Sequence, residues 1–121
     1  MKRLFALRGA IKCENNEDDI ILRVQELYDE LLEQNSLAVS DIVSLVFSVT
    51  SDINALNPAT ALRRTGRGGD LALFVLQEGV FAQSASGIIR ALLHCYLEEG
   101  ASPQHAYLNG AEILRPDRAP G

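Results

Sequence analysis

Residues 88–97, IIRALLHCYL, carry apolar side chains at 88, 89, 92, 93, 96 and 97. That recurrence at i, i+4 and i+8 predicts a long helix with Gly100 as its terminator. Upstream, LALFVL at 71–76 is short and apolar, the pattern of a buried strand, and small residues from Gly79 to Ser86 make the connecting loop. Downstream, Tyr107 and Ile113 mark short strand segments separated by Asn109-Gly110, a pair suited to a tight hairpin or bulge, and Pro116 stops the last strand.

The N-terminal half repeats the alternation. RLFALRGAIK at 3–12 reads as a buried first strand, with Arg8 and Gly9 as its oddities. Asn15-Asn16 and the acids Glu17, Asp18 and Asp19 then suit the positive end of a helix. Ile20, Ile21, Val24, Leu27, Tyr28, Leu31 and Leu32 form one apolar stripe over the following turns. IVSLVFSV at 42–49 is a second buried strand. Asn57-Pro58 opens a short helix bearing Arg63 and Arg64, and Gly66 closes it. The loop TGRGG at 65–69 lacks the Gly-Lys-Ser/Thr ending of a phosphate loop.

This order predicts an α+β fold over residues 1–121 as a single domain. One sheet carries two long helices and one short helix on one face. The other face of so apolar a sheet needs cover, which a cyclic homo-oligomer would supply.

With 47% hydrophobic and 22% charged residues the chain is expected to fold. Its net charge of -5 argues against a nucleic-acid partner. No apolar run approaches the roughly 20 residues of a membrane span. Cys13 and Cys95 show neither disulfide nor zinc-ligand spacing, as expected of a soluble cytoplasmic protein. Nine of the eleven basic residues are Arg. This skew reflects either genomic base composition or the gripping of small anions by a planar, always-charged fork.

Four arginines stand in unusual settings: Arg8 inside an apolar strand, Arg63 on the short helix, Arg90 within IIRALL, and Arg115 after Ile113-Leu114. Each also has a plain role open to it. Arg90 can snorkel from the edge of its stripe, Arg8 can pair with a carboxylate at the edge of the core, and Arg115 can be a strand-end charge. Glu78 ends a strand, where sites often gather and surface acids are common. His94, His105 and Cys95 fit no nucleophile motif and read as structural.

LRGAI at 7–11, SVTSDINALNPATALRR at 48–64, Glu78 with Arg90, and AYLNGAEILRPD at 106–117 together resemble the monofunctional chorismate mutases of the trimeric α/β type. The resemblance runs in order along almost the whole chain. It implies a pseudo-barrel homotrimer with active sites between subunits, in the prephenate branch of aromatic amino-acid biosynthesis. It further implies an isomerase that needs no cofactor or metal. Chorismate is its substrate, with Arg8, Arg63, Arg90, Tyr107 and Arg115 contacting the dianion. Glu78 then accepts from the ring hydroxyl, the Val75 backbone N–H donates, and Leu114 forms apolar wall. The rearrangement breaks a C–O bond as a C–C bond forms and moves no proton. The protein therefore contributes confinement and a donor, Arg90, aimed at the ether oxygen. Asn57 departs from an aromatic residue of the family pattern, and Phe74 and Val75 from small polar ones. Two other functions remain open, a non-catalytic trimer that binds small dicarboxylates and an imine or enamine deaminase on a similar trimeric fold.

Overall fold

The computed structural model describes residues 1–82 and 84–114. Strand β1 (Lys2–Lys12) leads to helix α1 (Glu17–Gln34), a 3-10 turn at Val39–Asp41 and strand β2 (Ile42–Val49). Helix α2 (Pro58–Arg64), strands β3 (Ala72–Gln77), β4 (Ile88–Glu98) and β5 (Ala106–Leu108), and a 3-10 turn at Ala111–Leu114 follow.

The two helices begin as their sequences demand. The Asn16 side chain accepts the backbone N–H of Asp19 at 2.8 Å, and Glu17, Asp18 and Asp19 fill the first turn of α1. Asn57 accepts from Ala59 at 2.8 Å ahead of Pro58 and so caps α2. Ile20, Val24, Leu27, Tyr28 and Leu31 are buried from α1 as the stripe requires. Fully burying each such aliphatic side chain is worth about 1.5–3 kcal/mol.

Residues 88–97 are not a helix. They form the middle strand of a mixed five-stranded sheet ordered β3-β2-β4-β1-β5, with β4 antiparallel to both β1 and β2. The parallel pairs β2–β3 and β1–β5 complete it. The helical period was a coincidence of two-sided apolarity. Ile89, Ala91, Leu93, Cys95 and Leu97 point to the helix side and are buried, while Leu92 and Tyr96 add apolar residues on the opposite face. A central strand with both faces apolar cannot be told from a helix by periodicity. The helix layer therefore holds one long and one short helix, not two long ones. Ile113 lies in the final 3-10 turn instead of a strand. Asn109 and Gly110 make the expected tight turn, both at positive φ.

The main core lies between α1 and the sheet, where Leu7, Ile11, Leu45, Phe47, Ile89 and Leu93 meet the α1 stripe. Among the described residues no α-helix covers the other face, where the final 3-10 turn packs only beside Ala10, Ile88 and Tyr107, and Phe74 (62%) and Leu4 (51%) stay exposed there. Among the described residues no helix is long and apolar enough to cross a membrane.

Candidate active site

The strand register assembles the site on the helix-free face. One row runs across the sheet through Leu76, Ser48, Arg90, Ala10 and Tyr107, each paired with the next on the neighbouring strand. The row two residues away holds Phe74, Val46, Leu92 and Arg8. Alternation along each strand sends all of these side chains to one side. Between them lies a depression of about 270 Å³ lined by Arg8, Val46, Ser48, Leu76, Arg90, Leu92 and Tyr107, with backbone from Gly9 and Ala91.

Glu78 adjoins the depression through its bonds to Arg90 and Ser48. Its backbone N–H donates to the Val49 carbonyl at 2.9 Å, extending the β2–β3 pairing by one residue and fixing where the side chain starts. Its carboxylate takes Arg90 Nε at 3.1 Å on Oε1 and 3.0 Å on Oε2, and the Ser48 hydroxyl at 3.1 Å on Oε2. Both charged groups are partly buried, which strengthens their attraction over that of a surface pair. A second hollow of about 220 Å³ shares Glu78 and is lined by Thr50, Asp52, Phe81 and Ser84.

Two local devices hold β4 at this register. Thr50, the one buried polar residue among those described, donates its N–H to the Ile88 carbonyl at 3.1 Å and receives the Ile88 N–H on its hydroxyl at 3.1 Å. Gly87, at φ +64°, donates to Asp52 at 2.9 Å and accepts from Cys13 at 2.8 Å. The Thr50 hydroxyl and the Gly87 N–H hold the Asp52 carboxyl below the usual range. On β1, the Arg8 N–H donates to His105 Nδ1 at 2.9 Å, giving that histidine a structural contact.

Of the residues singled out from sequence, Arg8, Arg90 and Tyr107 line the depression and Glu78 adjoins it. Leu114 packs beside Tyr107, Ala10 and Ile88. Arg63 is exposed on α2, which packs against α1 and β3, and it does not line the depression. The Val75 side chain joins the main core on the opposite face, so any contact with a ligand falls to its backbone. Arg115 lies outside the described residues. Asn57 caps α2 and is exposed. Sequence reasoning missed Ser48. Its signal was the pair Ser44 and Ser48, polar residues four apart that the strand period of two places on one face of an otherwise apolar strand.

The profile of the chorismate mutase type I family matches residues 4–118. The chain is 26% identical over 113 residues to chorismate mutase AroH of Bacillus subtilis (strain 168), covering 92% of this chain and 89% of that protein. It is 32% identical over 117 residues to chorismate mutase AroH of Thermus thermophilus, covering 92% and 93%. Chorismate mutase from Clostridium thermocellum superposes with a TM-score of 0.82 at 35% identity, covering 91% of this chain and 99% of the other. A family match over nearly every residue, on a fold that presents paired Arg90 and Glu78 at an open depression, makes this chain a member of the type I chorismate mutases.

Proposed function

We propose that this chain catalyses the rearrangement of chorismate to prephenate in the depression around Arg90. The observation that carries the reading is the Arg90–Glu78 pair, which joins a planar donor and an acceptor beside a pocket that Arg90 lines together with Arg8 and Tyr107. Arg8 and Tyr107 hold the substrate carboxylates, Arg90 donates to the ether oxygen as negative charge develops there, and Glu78 accepts from the ring hydroxyl. The reaction is unimolecular, so the gain comes from holding the reactive chair and from a donor already in place. Leu114 and the Val75 backbone complete the wall, and Arg115 contributes a further cation.

The working form is a homotrimer with sites between subunits. The exposed apolar residues of the helix-free face, Leu4, Phe74, Leu76 and Tyr96, support this reading because a patch of that kind on a folded chain calls for a partner. Arg63, exposed on α2 and not lining the depression, then acts from a neighbouring copy. Cys13 and Cys95 are free thiols, in keeping with a reducing cytoplasm.

The test is chorismate consumption followed by ultraviolet absorbance, with prephenate identified by NMR, alongside the mass in solution by light scattering. Conversion by a particle of three chains is expected. A folded protein that binds chorismate without converting it would instead be a dicarboxylate binder, and a catalytically active monomer would remove the shared site.

A further inference from the structure

We infer that Ser48 is a positioning residue for this reaction, acting through Glu78; the inference rests on the reading of Glu78 as acceptor of the substrate hydroxyl. Arg90 approaches Glu78 with one N–H shared between both carboxylate oxygens, at 3.1 and 3.0 Å. A single donor on the bisector sets the distance of a carboxylate but leaves the twist of its plane free. The terminal torsion of a glutamate is broad and supplies no preference of its own. The Ser48 hydroxyl, at 3.1 Å from Oε2, is the second point that fixes the twist.

The arrangement also makes the two oxygens unequal. Among the described residues, Oε2 receives Ser48 and a share of Arg90, whereas Oε1 receives only a share of Arg90. Each carboxylate oxygen has about two acceptor sites. Oε1 therefore keeps the capacity to accept a substrate hydroxyl, and Ser48 selects which oxygen does so. Position enforces this role. Ser48 sits on β2 between Leu76 of β3 and Arg90 of β4, so the strand that orients the acid also pairs with the strand that carries the cation.

The experiment compares chorismate turnover by wild type, Ser48→Ala, Ser48→Thr, Glu78→Gln and the Ser48→Ala/Glu78→Gln double variant, with thermal unfolding of each. Ser48→Ala is expected to lower kcat/KM about 10-fold, the scale of one lost hydrogen bond to a charged group. Ser48→Thr, which keeps a hydroxyl on a strand-favouring side chain, is expected to restore most of it. In the Glu78→Gln background Ser48→Ala is expected to cost little more, because the two residues act as a unit. Ser48→Ala within about twofold of wild type, Ser48→Thr as impaired as Ser48→Ala, or full additivity with Glu78→Gln would each overturn the assignment. Absence of turnover in the wild type would overturn the functional reading and this inference with it, whereas an active wild type with an unaffected Ser48→Ala removes the inference alone.

Discussion

Arg90 meets Glu78 through Nε alone among the described residues, with both carboxylate oxygens within 3.1 Å. The pairing leaves the Nη1 and Nη2 fork of the guanidinium for a ligand while the acid holds the side chain in place. A lysine ends in a single compact ammonium and cannot hold the acid through one nitrogen while presenting a planar fork to a ligand.

Arg90→Lys is accordingly expected to lower kcat about 10²- to 10³-fold, the scale of a lost donor to a developing oxyanion. Its circular dichroism spectrum should match that of the wild type. Steady-state chorismate assays check this, and turnover close to wild type would remove Arg90 from the donor role.

Gly9→Ala is expected to destabilise the fold by about 1–3 kcal/mol, the scale of an overpacked site. An added Cβ would stand 2.9 Å from Leu27 Cδ1 on α1 and 3.0 Å from the Ala106 carbonyl on β5. The leucine tip can swing aside, but the carbonyl belongs to the strand that carries Tyr107. Urea denaturation should show the loss, and KM should rise as Tyr107 shifts.

Gly87→Ala is expected to cost about 1–3 kcal/mol, because φ is +64° and the new Cβ would meet the Cys13 carbonyl at 3.1 Å. The residue lies three positions before Arg90, so turnover should fall along with stability. An unchanged urea midpoint would show that the turn relaxes without strain.

Cys13 is expected to resist alkylation in the folded protein. Burial, followed by the nearby Asp19 carboxylate, pushes its thiol up to about 12, whereas an unfolded cysteine titrates near 8.5. Iodoacetamide at pH 8 should label Cys13 slowly in buffer and quickly in urea. Folding favours the neutral thiol, so its contribution to stability is full below the unfolded value and is lost as pH rises toward 12. Rapid labelling of the folded chain would contradict the burial of the thiol.

The helices were legible because caps and stripes are local. Asn16, Asn57 and Pro58 announce their helix starts without reference to the rest of the chain. Strand β4 was not legible, because its Leu92 and Tyr96 reflect a second apolar face that no local rule explains. The same blind spot affected the site. Arg8 and Arg90 stood out as charged groups among apolar neighbours and Tyr107 entered through the family resemblance, yet that they share a face follows only from register. Ser48 stayed hidden because a serine in a strand is unremarkable until Glu78 is brought to 3.1 Å from it. Placing Arg63 relative to Arg90 was beyond sequence reasoning, since α2 packs with the helix layer.

The central position of β4 limits how the chain can vary in length. Insertion of one residue between Gly87 and Arg90 would exchange the two faces of the strand, burying the guanidinium beneath α1 and turning Ile89 outward. Deletion would do the same from the other direction. Around β4, length changes compatible with this arrangement are therefore confined to the connections at residues 79–86 and 99–105, and the spacing from Gly87 to Leu97 matters to the proposed site as much as the arginine it contains.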